Sequence, residues 1–232
     1  MSEDKSPQNA ASKKSGTNPI LIAVVVLGLG LVAGAGLYAL LGDKSNSANT
    51  VAAAGDTAST CPVDETLRAE LDAAAGGHVA AFKAVDRPYS VKTFAFNDID
   101  GNPKTFADWN GKTVLFNLWA TWCAPCRAEM PALEALNKEL GSDAFEVVPV
   151  SVDLGDPGRP KGFYEEIGLK DMGFYHDPEL ATLNALKREG LAFGLPATLL
   201  ISKQGCVLGT LNGPAEWASD DAKKLINAAL KQ

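Results

Sequence analysis

The feature that most narrows what this 232-residue chain can fold into is a pair of cysteines two residues apart, Cys123-Ala124-Pro125-Cys126. Residues 113–119 before it (TVLFNLW) form a continuous, mostly apolar run, the pattern of a strand buried on both faces. After it, Met130, Leu133, Leu136 and Leu140 recur at helical spacing. Cys123 is therefore expected at a helix N-terminus, where unpaired amides and the helix dipole stabilise a thiolate, the attacking form of the residue. Cys126 would lie one turn deeper, close enough to close a disulfide and shielded enough to resolve a mixed one. Pro125 offers no backbone N–H and stiffens the segment between the sulfurs.

Other uses of the pair fit the sequence less well. A zinc site wants four ligands, and neither histidine, His78 or His176, lies near a second Cys-x-x-Cys. A peroxidatic cysteine would follow Pro-x-x-x-Thr-x-x, whereas Thr121 is only two residues before Cys123. The reading calls for no metal and no cofactor.

The composition, 46% hydrophobic and 21% charged, is that of a globular protein with something added. The net charge of −7 argues against a nucleic-acid partner, which needs a concentrated basic face. Residues 1–60 carry four lysines and four acidic residues, so the remainder holds the whole excess. Residues 20–41 are uncharged and would span roughly 33 Å as a helix, which predicts a transmembrane anchor. A cleavable signal peptide ending at Ala33-Gly34-Ala35 is the alternative, but the apolar run continues through Leu37, Tyr38, Leu40 and Leu41. Lys5, Lys13 and Lys14 precede the run and only Lys44 closely follows it. That bias places residues 1–19 in the cytoplasm and the bulk of the chain on the other side. Gly30 and Gly34 have the spacing that packs two helices, although a Gly-rich anchor without a partner would look the same. Residues 42–60 are small and polar, a flexible linker with a reach of roughly 24 Å.

Residues 61–232 alternate helix-like and strand-like patterns and are expected to form one α/β domain. Residues 63–82 read as helix interrupted at Gly76-Gly77, and 91–96 as a strand entering a turn at 100–102. Residues 145–152 are strand-like, but Pro149 predicts an edge position or a local break. A short helix at 162–167, an extended stretch near Phe174-Tyr175 and a helix near 180–188 follow. Residues 198–201 and 206–211 read as a hairpin around the loop 202–205. Ser219 is placed to cap a last helix with a stripe of Ala222, Leu225, Ile226 and Ala229.

The run 116–131 (FNLWATWCAPCRAEMP) resembles the active-site segment of thioredoxin-fold oxidoreductases, with Pro131 matching that fold's helix proline. Residues 194–198 (GLPAT) resemble its loop with a cis-proline facing the disulfide, a role that falls here to Pro196. Within the fold, the chain is most similar to the TlpA family of membrane-anchored periplasmic thiol-disulfide oxidoreductases. That similarity runs from about Cys61 to the end. It includes 213–219 (GPAEWAS) and an insert between Asp153 and Pro178 that plain thioredoxins lack. The implied fold is α/β and thioredoxin-like with a family insert, preceded by the anchor and linker. Where thioredoxins place a buried aspartate six residues before the first cysteine, this chain has Asn117, which takes no proton. Glu129 matches a glutamate of related cytochrome c maturation reductants; proton handling and a plain solvent-facing position both remain open for it. Relatives carry cysteines resembling Cys61 and Cys206 as a second, structural disulfide, and two unrelated buried thiols are the alternative.

What the resemblance implies is a reductase of protein disulfides in the periplasm, held on the bacterial inner membrane by a single pass. Cys123 would be the nucleophile and Cys126 the resolving cysteine. Its substrates would be a copper chaperone and the copper-bearing subunit of a respiratory oxidase, with a membrane thiol carrier as electron donor. A cytochrome c maturation reductant is the alternative within the class. A copper-binding chaperone of the Sco type is the alternative outside it. Those use Cys-x-x-x-Cys with a distant histidine, and only His176 lies downstream here.

Overall fold

A computed structural model describes residues 61–231 apart from 63 and 88. The predicted anchor and linker, residues 1–60, lie outside the described residues, among which no helix is long and apolar enough to cross a membrane. Asp64 opens the first helix, α1 (Glu65–Ala74), by accepting from the Thr66 and Leu67 amides. The helix stops short of Gly76, and a single 3-10 turn, Gly77–Val79, follows. Gly77 has φ +50°, and a side chain there would collide with Asp221, whose carboxyl takes the His78 amide.

One eight-stranded sheet runs through the domain in the order β1-β8-β7-β4-β5-β6-β2-β3. Its strands are β1 (Lys83–Ala84), β2 (Ala95–Asp98), β3 (Pro103–Thr105), β4 (Thr113–Trp119), β5 (Phe145–Ser151), β6 (Tyr175–His176), β7 (Ala197–Ile201) and β8 (Val207–Asn212). β4 pairs parallel with β5 and antiparallel with β7, and all seven of its residues are buried. The helices α2 (Ala124–Leu140), α3 (Gly158–Ile167), α4 (Ala181–Arg188) and α5 (Asp220–Ala229) complete the domain. Ser219 caps α5 through the Ala222 amide, and α5 buries Ala222, Leu225 and Ile226.

Three local expectations change. The strand placed at 91–96 begins only at Ala95, because Phe94 N–H closes a turn onto Val91 O while the Val91 amide binds Gly205 O. The helix placed at 162–167 starts four residues earlier, at Gly158. Finally, β5 is neither an edge strand nor broken. Amides along a parallel strand alternate sides: Val152 donates toward β4, to Trp119 O, and Val147 donates away from it, to Asn137 Oδ1. Pro149 shares the parity of Val147, so its missing N–H faces the β6 side. Pairing with β6 begins only at Val150, and no ladder bond is lost.

The register sets the geometry of everything that follows. Leu118 lies opposite Ala197, and Trp119 opposite Ser151. The segments after β4 and β5 and before β7 therefore converge at one end of the sheet. Val114 lies opposite Ile201, which places the β7–β8 loop and Cys206 at the other end.

Candidate active site

Cys123 is the N-cap of α2, and its Sγ accepts the Cys126 amide at 3.3 Å. The two sulfurs are bonded, at 2.00 Å. Cys126 is wholly buried, whereas Cys123 keeps a 6% exposure beside the exposed Trp122. Pro125 sits in the first turn of the helix, where its missing N–H costs nothing, and Pro131 lies inside a helix that continues to Leu140. The Leu195–Pro196 bond, on the loop entering β7, is cis.

Glu129 is on the same helix, one turn beyond Cys126, and it is buried rather than turned to solvent. Its Oε1 accepts from Asn117 Nδ2 at 2.8 Å, and its Oε2 accepts from the Ala215 amide at 3.1 Å and Trp217 Nε1 at 3.2 Å. Burial pushes this carboxyl up to about 7, although the three donors pull the other way. Asn117 Nδ2 also reaches Thr198 Oγ1 at 3.0 Å, while Asn117 Oδ1 is buried without a partner. A half-turn of that amide would present Oδ1 to a protonated Glu129, so Asn117 can serve both states of the acid. A cleft of about 360 Å³, lined by Pro125, Ala128, Pro214 and Ala215, opens onto Glu129 and gives its proton a way to solvent.

This arrangement has a thermodynamic consequence. The folded protein holds the Glu129 proton up to about pH 7, whereas an unfolded chain releases it near the ordinary 4.5. The associated stability is full below the unfolded value and is lost as pH rises through about 7, roughly 3 kcal/mol in all. Denaturant unfolding of the oxidised protein between pH 5 and pH 8 should show this loss in the wild type, and Glu129→Gln should lack it. Parallel pH profiles for the two proteins would mean that Glu129 does not titrate in this range.

A second buried acid holds the approach to Cys123. Asp153 accepts from the Thr121 amide at 2.9 Å, from Thr121 Oγ1 at 2.5 Å and from Ser151 Oγ at 2.8 Å. It thereby ties the turn after β4 to the end of β5. His176 is buried too, with Nε2 2.7 Å from the Asp153 carbonyl oxygen. Sequence reasoning missed Asp153, Thr121, Thr198 and Trp217. The readable signal for Thr121 and Asp153 was their place just after the runs 113–119 and 145–152, at the end of the sheet where parallel strands place their sites; Thr198, near the start of β7, and Trp217, before α5, carried no such signal.

Cys61 and Cys206 are bonded as well, at 2.08 Å and 145 residues apart in sequence. Both sit at the end of the sheet away from Cys123.

The sheet, the disulfide at the head of α2 and the cis-proline loop define a thioredoxin-like fold. Residues 84–226 match the Redoxin family model, and the chain belongs to that family. The thioredoxin-like protein YneN of Bacillus subtilis (strain 168) is 48% identical over 114 residues, covering 49% of this chain and 64% of that protein. The thiol-disulfide oxidoreductase ResA of Geobacillus thermodenitrificans (strain NG80-2) is 34% identical over 124 residues, 52% of this chain and 66% of that one. The matches thus span a little under two thirds of these relatives. Among solved structures, a thioredoxin-family thiol:disulfide interchange protein from Chlorobium tepidum TLS aligns over 63% of this chain and 99% of its own, with TM-score 0.52 and 28% identity.

Proposed function

We propose that this protein is a thiol-disulfide oxidoreductase that reduces disulfides in other proteins. The carrying observation is the Cys123–Cys126 disulfide, with one sulfur capping a helix and the other buried one turn inside it. In the reduced protein, Cys123 thiolate attacks one sulfur of a substrate disulfide. A mixed disulfide forms, and the substrate's other sulfur leaves as a thiolate that takes up a proton. Cys126 then gives its proton to the Glu129 carboxylate and attacks Cys123 Sγ. The bond between Cys123 and the substrate breaks, the substrate's second sulfur leaves as a thiolate that takes up the proton held by Glu129, and the internal disulfide is left behind. Two electrons pass from this protein to its substrate. An acid poised near pH 7 suits that proton transfer.

The proposed setting is a single-pass anchor at 20–41 with the domain in the periplasm, and, as the resemblance to the TlpA family implies, a membrane thiol carrier restoring the dithiol. The proposed substrates are a copper chaperone and a copper-bearing oxidase subunit. A cytochrome c maturation reductant is the second reading, and the burial of Glu129 favours it, since that residue matches a glutamate of such reductants. A copper chaperone would need His176 as a ligand, and its Nε2 already faces the Asp153 carbonyl. A Cys126→Ser variant expressed in its native membrane should accumulate mixed disulfides through Cys123. A trapped copper-site protein supports the first reading, a trapped apocytochrome the second, and no adduct at all counts against both.

A further inference from the structure

Resting on that activity, we propose that a basic cleft beside the disulfide selects protein substrates carrying an acidic side chain close to their own cysteine pair. The cleft, about 260 Å³, is lined by Thr121, Arg127, Arg159, Gly162, Phe163 and Glu166. Thr121 is two residues from Cys123, and Arg127 directly follows Cys126, so the cleft borders the segment that carries the disulfide.

Both arginines are exposed, and among the described residues neither forms an ion pair. Arg127 is nevertheless held in place. Its guanidinium lies 5.0 Å from the centre of the Phe163 ring, and that ring packs against buried Trp119 at 5.4 Å. A guanidinium resting over an aromatic ring is restrained by it while keeping N–H groups free to bind a carboxylate. Arg159 and Phe163 both come from α3, within the insert after β5, so the insert builds most of one wall. Glu166 is the single acid on the lining, leaving a local excess of one positive charge on a chain whose net charge is −7. Long-range attraction therefore does not draw acidic partners to this protein. The selection is local, made at contact distance, and screened by salt.

The test uses the reduced full-length protein and three synthetic peptides, each closed by one disulfide and identical except that both residues flanking the first cysteine are Glu, Gln or Lys. The second-order rate of reduction should follow Glu, then Gln, then Lys, with about three- to tenfold between the extremes at low ionic strength and near equality in 0.5 M NaCl. An Arg127→Ala, Arg159→Ala double variant should bring the Glu-to-Lys ratio close to one, and Arg159→Glu should invert it. Because a ratio is read, any effect of Arg127 on the cysteines themselves cancels. Lys83→Gln, on the far edge strand of the sheet, removes one positive charge, against two in the double variant, and should leave the ratio unmoved. An unchanged ratio in the double variant, or an equal loss in Lys83→Gln, would overturn the cleft. Failure to reduce any of the peptides would overturn the oxidoreductase reading, and this inference with it.

Discussion

Cys123→Ser should abolish disulfide reduction, by at least on the order of a thousandfold, and should leave no covalent adduct with any substrate. Cys126→Ser should also stop turnover, but with the protein arrested as a mixed disulfide. The asymmetry has a structural cause. Cys123 Sγ receives the Cys126 amide at the positive end of a seventeen-residue helix, so negative charge on it is stabilised there. Cys126 is fully enclosed within the hydrophobic core, out of reach of a substrate. Alkylation of the reduced wild type at pH 7, followed by peptide mapping, should accordingly find the label on Cys123. Predominant labelling of Cys126, or adducts on the Cys123→Ser variant, would reverse the roles.

The other large effect belongs to stability. Replacing Cys61 and Cys206 together by serine should lower the unfolding free energy by roughly 3–5 kcal/mol, the loop-closure contribution of a 145-residue separation. Peptide-disulfide reduction by the folded double variant should be little changed. The bond ties the start of the domain to the β7–β8 loop, at the end of the sheet remote from Cys123, and shares no partner with Glu129 or Asp153. Sites so separated are expected to act additively. Urea unfolding measures the first effect and peptide reduction the second. A still-folded double variant without activity would make the pair part of the redox chemistry.

The parts of this domain legible in the sequence were those governed by short-range pattern. β4 was readable because strands buried on both faces are apolar throughout, and α2 because its buried residues recur at helical spacing. α5 announced itself through Ser219 and the acidic residues of its first turn. The two-residue strands β1 and β6 were harder. β1 is too short to carry a period and exists because its partner β8 offers an edge, and β6 was legible only as an extended stretch. Pro149 misled for a related reason: its cost depends on which side its absent amide faces, and that is a property of the sheet.

At the site, the cysteines carry their spacing in the sequence, whereas the environment of Glu129 does not. Its three donors come from β4 and from the segment before α5, the latter 86 and 88 residues away in sequence, and only the closed fold brings them together. Thr121 and Asp153 meet across a 32-residue gap for the same reason.

The central claim is that the Cys123–Cys126 pair gives up electrons, and its reduction potential tests that most directly. Ala124 and Pro125 add no charge between the sulfurs, and Trp119 and Trp122 flank them without charge. Arg127 points its guanidinium over Phe163, and Glu129 places a buried acid beside the site. With mainly the helix terminus acting, the thiolate is stabilised only moderately, so the disulfide is comparatively stable and the dithiol a good reductant. Equilibration of the full-length protein against dithiothreitol or glutathione should give a potential nearer roughly −270 mV, the thioredoxin region, than roughly −120 mV, the region of strong oxidants. A value at or above roughly −180 mV, where disulfide isomerases lie, would contradict the assignment as a reductase.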